Sequence, residues 1–433
     1  MKFHFISHQR LFQVIYSYDI VTGVDLMKSV GIIAEYNPFH NGHLYHLHKS
    51  KEVSGAGVVI CVMSGNFLQR GEPALISKWY RTRMALEAGS DIVVELPYAF
   101  AVQKAEIFAF GAVYLLNALK CDSICFGSES GEVQPFFNTL DYLNKHSETY
   151  NDHIKRYVKQ GVSYPRALAL AYEAVKDGLR NGVDLSKPNN ILGYQYIRAA
   201  HEINSHIHFF TVKRNKAGHH DQTFHHEKMA SATSIRKSLS ENPNLDHIAA
   251  YVPESTLSAL ASYVNRYKKL HDWEDYWPYL QYRLLTMSDD ELQQVYDAEE
   301  GLPYRLKKTA QNAKSFHSFM ESAKTKRYTW TRLQRICVHI LTNTPKNMMI
   351  PAAKKPQYIR LLGMSSAGRD YLNKRKKELE LPLISTVSSY PDEWLMLDRK
   401  SSQVYAHVLP DPEKSRLVSL EFAQPPIMIG NRP

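Results

Sequence analysis

From Val30 onward the chain alternates short, continuous apolar runs with longer segments whose apolar residues recur at helical spacing. The runs VGIIA (30–34), GVVICVM (57–63), DIVVEL (91–96), SICFG (123–127) and IHFFTV (207–212) read as strands buried on both faces, because a half-exposed strand would alternate apolar with polar residues. Helices are expected to open near Gly42, Ser77 and Gln103, and again around 165–180 and 190–203. Buried strands separated by helices predict a doubly wound α/β fold, its parallel sheet covered on both sides.

Beyond about residue 245 the strand signals fade and helical periodicity takes over. Ser288 and Glu291 have capping-box spacing, and Gly301 stands where the helix they open could stop. The turn-rich stretch 240–253 is the expected boundary between an α/β domain over 27–245 and a mainly helical domain over 246–433. Residues 1–26 read as an extension outside the core, with Met27 as the start of the patterned chain; their apolar patch LFQVIY is too short and too interrupted for a secretory signal. The stretch after residue 385 has no clear pattern.

A chain of 433 residues exceeds one average domain, and 44% hydrophobic residues with only 20 Gly and 20 Pro exclude disordered and collagen-like classes. Cys61, Cys121, Cys125 and Cys337 sit inside apolar runs without a Cys-x-x-Cys pair, which fits a reducing cytoplasm. No run approaches the 18 apolar residues of a membrane span, and no segment points to an obligate protein partner.

The formal net charge is +10, yet residues 301–380 alone hold 18 Lys or Arg against Glu321, Asp370, Glu378 and Glu380. Basicity therefore belongs to one region. A solvated helix face is the plain reading of such a run. Here, however, aromatic residues are interleaved. In KTKRYTWTRLQRICVHIL, Leu333, Cys337 and Leu341 can seal one helix face while Arg332, Arg335 and His339 project from another. Lys326, Arg327, Arg332 and Arg335, with Tyr328 and Tyr358 nearby, are the candidates for gripping a folded, partly single-stranded RNA. Cations meet phosphates there, and flat rings meet unstacked bases.

The chemistry concentrates in VGIIAEYNPFHNGHLYH, where a buried strand runs through a loop with Asn37 and Pro38 into a helix. In a doubly wound sheet that loop lies at the ligand-binding edge, and the helix start offers free N–H groups to an anion. His40 and His43, three residues apart, can both donate to one phosphate chain, and Gly42 lets a nucleotide approach the backbone. Two rival readings exist: a metal site made by His40, His43, His46 and His48, or a purely structural pair. The strand-loop-helix setting, with no cysteine or carboxylate at zinc spacing, favours phosphate. Downstream, MASATSIRKSL places Ser231, Thr233 and Ser234 before a short helix carrying Arg236 and Lys237, a second anion site.

These residues resemble the HxGH nucleotidyltransferase superfamily, in whose Rossmann-like domain a substrate attacks the α-phosphate of ATP and pyrophosphate is expelled. The strings EYNPFHNGH, MSGNFLQRGEPA, DIVVELP, FGSE, SKPNNILG, VKR and SATSIRK, in this order, are similar to those of the tRNA(Met) cytidine acetate ligase family, as are GLPYRLKK and KRYTWTRLQR in the helical half. The resemblance spans roughly residues 27–380.

It implies an ATP-dependent ligase that makes acetyl-adenylate from acetate and passes the acetyl group to N4 of the wobble cytidine of elongator tRNA(Met). It also implies ATP contacts from Ile33, Ala34, Glu35, Tyr36, Asn37, Pro38, Phe39, His40, Asn41, Gly42, His43, Leu44, Tyr45 and His46, together with Gly127, Asn189 and Arg214. His40, His43, Ser234 and Arg236 are the expected catalytic residues, with Mg2+ accompanying ATP. Gln69, Arg70, Glu72 and Lys78 are weaker candidates for the acceptor or acyl pocket. Two other functions compete: an adenylyltransferase acting on a small metabolite, and an RNA-binding protein with a degenerate nucleotide site.

Overall fold

The computed structural model describes residues 27–214, 229–299, 301–390, 393 and 395–430. Five strands come from the apolar runs: β1 (Ser29–Ala34), β2 (Val58–Ser64), β3 (Ile92–Leu96), β4 (Ser123–Ser128) and β5 (His208–Lys213). They lie parallel in the order β5-β4-β1-β2-β3, with Val30 opposite both Val59 and Ser123. Val59 to Met63 of β2 are fully buried, as a central strand covered on both faces must be. The doubly wound α/β architecture is therefore present, and its first five strands fall where the hydrophobic runs place them.

The second half of the chain differs from the helical expectation. Helices do predominate there, but β6 (Ile359–Ser365) adds antiparallel to β3, and β7 (Leu383–Ile384) and β8 (Ile427–Ile429) both pair with β6. The sheet thus continues across the expected boundary near residue 245. The run IRLLGMS does not read as a strand within its basic surroundings because it carries Arg360, and a buried cation breaks the apolar signature. Arg360 is accommodated by a closed ionic cluster. Lys78 Nζ lies 2.8 Å from Glu95 and 2.9 Å from Glu421, Arg360 lies 3.0 Å from Glu95, and Arg360 also pairs with Glu421.

Two cations and two carboxylates, all nearly inaccessible to water, thereby tie α2 (Lys78–Ala88) and β3 to β6 and to the helix Glu413–Ala423. The patternless tail after 385 also packs back, through the helix Leu395–Ala406: Asp398 accepts the Tyr98 N–H at 2.6 Å.

A smaller difference concerns Gly301. The capping box at Ser288 and Glu291 forms, but its helix ends at Gln294, and Gly301 instead precedes the helix Leu302–Ala310. Pro303 in that first turn is the physical reason, since proline suits a helix start.

Candidate active site

The chain leaves β1 toward β2 and leaves β4 toward β5, on opposite sides, so a crevice opens between the carboxyl ends of β1 and β4. The loop 35–40 follows β1 into α1 (Asn41–Ser54), and Gly127 stands near the end of β4. Arg81, fully buried on α2, locks this edge from below by donating to the carbonyls of Glu35 (2.7 Å), Ser64 (3.0 Å), Ile76 (3.1 Å) and Gly65.

Imidazoles cap α1. His40 is the N-cap; its Nδ1 accepts the Gly42 N–H at 3.0 Å, while His43 Nδ1 accepts the His40 N–H at 3.3 Å. The two rings stack with centroids 3.8 Å apart. A neutral imidazole that accepts at one nitrogen carries its proton on the other, so both rings present Nε2–H donors. Burial, reinforced by the nearby charge of Arg214, holds His40 at about 4. Burial and then the neighbouring His40 and Arg214 hold His43 well below its ordinary value. Both rings are thus neutral at pH 7. Tyr36 and Phe39, both buried, brace His43 at ring separations of 5.1 and 5.6 Å.

Gly42 has a local reason beyond nucleotide approach. A Cβ there would sit 2.8 Å from His40 Cε1, so another residue would displace the capping ring. His46 follows one turn along, held at about 4 chiefly by burial, and its buried Nε2 has no hydrogen-bond partner among the described residues. His48 is exposed, and among the described residues no group of three or more His, Cys, Asp or Glu could hold a metal ion. The four-histidine metal reading therefore lacks its geometry.

The rest of the expected nucleotide segment serves this cap. Ile33 and Ala34 end β1 half-buried, Asn37 Oδ1 accepts the Leu75 N–H at 2.7 Å, and Pro38 follows Asn37 through a cis peptide bond. Asn41 Nδ2 donates to the Ala250 carbonyl at 3.0 Å, while Leu44 and Tyr45 lie half-buried on α1. Burial raises the Glu35 carboxyl above its usual range, although its bond from the Gln69 N–H (2.7 Å) pulls the other way.

Gly127, Asn189 and Arg214, far apart in the chain, converge. Arg214 Nη1 donates to Asn189 Oδ1, and a Cβ at Gly127 would meet Arg214 Cγ and Cδ at 3.1 Å. Glu129, which the sequence reading did not single out, clamps this corner. It accepts from Asn189 Nδ2 at 2.7 Å and from the Asn190 N–H at 3.0 Å, at the start of the helix Pro188–Glu202. Its signal was the acid closing FGSE beyond a strand end.

The second motif arrives through the helix Ala232–Glu241, capped by Ser231 Oγ accepting the Ser234 N–H at 3.1 Å. Arg236 reaches the first motif, donating from Nη1 to the Asn37 carbonyl and from Nη2 to Glu72 Oε2, each at 2.9 Å. Ser234 is exposed, and its Oγ donates back to the Ser231 carbonyl at 2.8 Å. Of the weaker candidates, Gln69 Nε2 donates to the Gln103 carbonyl at 2.8 Å and Arg70 is exposed. Lys78 does not line a pocket: it is fully buried in the ionic cluster, so its role is structural.

The basic helix Trp330–Leu341 also needs correction. Leu333 and Cys337 are sealed as expected, but His339 is buried too, with Nδ1 2.8 Å from the Tyr98 hydroxyl. Tyr328 and Tyr358 are buried rather than displayed for stacking, and Arg360 belongs to the ionic cluster. These residues meet packing partners on several sides, which a single helical stripe does not reveal. Arg332 is half-buried, 3.5 Å from Asp297 and 3.6 Å from Glu299, and Arg335 is half-buried beside Asp297. Lys326 and Arg327 are exposed.

Comparison with known proteins places the chain in a family. The family model described as HIGH Nucleotidyl Transferase covers residues 27–418. The tRNA(Met) cytidine acetate ligase of Geobacillus sp. (strain WCH70) is 49% identical over 93% of this chain and 100% of its own length. That of Anoxybacillus flavithermus is 48% identical, again over 93% and 100%. The crystal structure of Thermotoga maritima TmcAL bound with alpha-thio ATP superposes with a TM-score of 0.85 at 32% identity, covering 93% of this chain and 100% of that one. With its paired imidazoles at the switch point and likeness along nearly its whole length, the chain belongs to the tRNA(Met) cytidine acetate ligase family of the HIGH nucleotidyl transferases.

Proposed function

We infer that this protein is an ATP-dependent ligase that activates acetate as acetyl-adenylate and acetylates N4 of the wobble cytidine of elongator tRNA(Met). The observation that carries the first step is the pair of neutral, stacked imidazoles at the start of α1, with both Nε2–H groups without a partner among the described residues. ATP would lie across the switch point, its phosphates at His40 and His43, with Gly127, Asn189 and Arg214 on the β4 side. An acetate oxygen attacks the α-phosphorus, the bond to the β-phosphate oxygen breaks, and pyrophosphate leaves. His40, His43 and Arg236 act as fixed donors to the charge that builds on the phosphoryl oxygens, which is where preorganised hydrogen bonds contribute most.

In the second step the cytidine N4 amine attacks the acetyl carbon, the carbon–oxygen bond to AMP breaks, and the amine releases one proton. The base must leave its stack for this to happen. The exposed Lys326 and Arg327, with the half-buried Arg332 and Arg335, are the cations we assign to the RNA backbone. Ser234 stays a candidate through its place at the helix start beside Arg236.

Magnesium would supply charge neutralisation on the phosphates. The described residues contain no cluster of three metal-ligating side chains, so they do not form a protein cage for it, and no step here runs through the ion. No described helix is long and apolar enough to cross a membrane; we assign the protein to the cytoplasm, where its tRNA substrate is.

The direct test is mass spectrometry of nucleosides from tRNA(Met) incubated with the protein, ATP and labelled acetate. Label in N4-acetylcytidine is expected. Label-free cytidine, with the adenylyl group of ATP joined instead to a phosphorylated metabolite and pyrophosphate released, would favour the adenylyltransferase reading.

A further inference from the structure

We propose that Glu72 is a positioning residue for the adenylation step, aiming the Arg236 guanidinium at the triphosphate. The assignment rests on the reading of the HxGH crevice as an ATP site. Arg236 spends one Nη1 proton on the Asn37 carbonyl and one Nη2 proton on Glu72. A guanidinium has five N–H donors in a rigid plane, so three remain without a partner among the described residues, and these two anchors fix the plane in which they point. Without Glu72 the long side chain would hang from the exposed start of its helix by a single carbonyl contact.

The loop that carries Glu72 is held from several directions. The Gln69 N–H donates to Glu35 at 2.7 Å, just past the end of β1. The Leu68 N–H donates to the Glu72 carbonyl at 2.9 Å, and the Gly71 N–H to the Leu68 carbonyl at 2.8 Å. Trp273 Nε1 donates to the Gly71 carbonyl at 2.9 Å. Gly71 has φ +76° and lies against the helix Trp330–Leu341 so closely that a Cβ would sit 2.3 Å from the Arg335 nitrogen. A carboxylate on so fixed a loop makes a firm reference for the cation it holds.

Stability does not explain the pair. The pair is partly buried, its side chains keeping 23% and 26% of their exposure, and one such pair adds only modestly to folding. Glu72 also offsets part of the charge on Arg236, so its loss should not weaken ground-state attraction for ATP. Its effect belongs in the turnover number.

The test is acetate-dependent ATP–pyrophosphate exchange by the full chain carrying Glu72→Gln or Glu72→Asp, with thermal melting alongside. Glu72→Gln is expected to lower kcat roughly 10-fold, to keep KM for ATP within about threefold, and to leave the melting temperature nearly unchanged. Glu72→Asp should recover part of the rate. Added to Arg236→Lys, Glu72→Gln should lower kcat by less than about twofold more, because the aim is already lost. A wild-type kcat in Glu72→Gln, a loss confined to KM, or full additivity with Arg236→Lys would overturn the assignment. Should the Gln variant not fold, the Asp variant, alone and with Arg236→Lys, decides by the same criteria. Absence of exchange in the wild-type protein would instead overturn the adenylation reading, and this assignment with it.

Discussion

Two groups of cations lie around the same sheet and behave in opposite ways. At the crevice between β1 and β4, Arg236 and Arg214 each bond to neighbours yet, among the described residues, keep N–H donors in hand, beside imidazoles whose Nε2–H groups point away from the caps they make. Under α2, Lys78 and Arg360 are matched two for two by Glu95 and Glu421 within a closed, dry cluster. A site built to receive an anion leaves its donors uncompensated, whereas a joint between two parts of a chain compensates them completely. Residue type does not distinguish the two; the count of partners does.

The sharpest way to break this comparison is at the joint. Lys78→Met strands the carboxylates Glu95 and Glu421 beside a single cation, and removing one partner of a buried pair costs about 3–5 kcal/mol. Urea unfolding should show that loss, whereas a stability within error of wild type would mean the cluster is not the joint described. At the crevice the sign of the contrast reverses. His43→Ala should cut acetate-dependent exchange on the order of 100-fold, about 3 kcal/mol of transition-state stabilisation, while the protein melts normally and still binds tRNA.

A smaller effect separates exposed from half-buried cations on the basic face. Replacing Lys326 and Arg327 together by Ala should weaken tRNA binding roughly 10-fold at moderate salt and flatten its salt dependence, with exchange unchanged. Arg332→Ala, by contrast, uncovers Asp297 and Glu299, so part of its effect should appear as lost stability. Filter binding across a salt series, paired with melting curves, reads both.

The smallest effect is a pH dependence. Burial keeps His40 near 4 in the folded chain, below the unfolded value of about 6.5. Over that window the unfolded state takes up a proton that the folded state refuses, so stability is present above about pH 6.5 and is lost as the pH falls toward 4. One such group contributes a slope of at most about 1.4 kcal/mol per pH unit. His40→Asn, which keeps a capping side chain, should therefore lose stability less steeply than wild type between pH 6.5 and 5.5. Parallel curves would show that His40 titrates normally.

Strands β1 to β4 were legible because central parallel strands must be apolar on both faces; β5 was legible from its apolar run alone, since it forms the sheet edge and is mostly half-exposed. The histidine pair was legible for a related reason: two imidazoles three residues apart, directly after such a strand, can only stand at a helix start over the sheet edge. Resemblance, rather than any pattern of their own, drew attention to Gly127, Asn189 and Arg214, since a glycine, an amide and a guanidinium scattered over almost ninety positions carry no joint signal. Their meeting depends on β4, β5 and the helix Pro188–Glu202 ending at one corner. Tyr328, His339 and Tyr358 were misread as displayed because periodicity locates one apolar face and cannot report that neighbours cover the others.

By itself the order of residues determined which segments become strands or helices, where a helix start would offer donors to phosphate, and that one stretch carries the surplus positive charge. These are local matters, settled by burial periodicity, capping and composition within a few turns of chain. Only the tertiary structure decided which cations are spent and which are left over. That Lys78 and Arg360 neutralise Glu95 and Glu421, while Arg236 is merely steered by Glu72 and Asn37, depends on contacts that span from 17 to 343 positions of chain. Electrostatic compensation acts through space over a few ångströms, and sequence separation does not encode that distance.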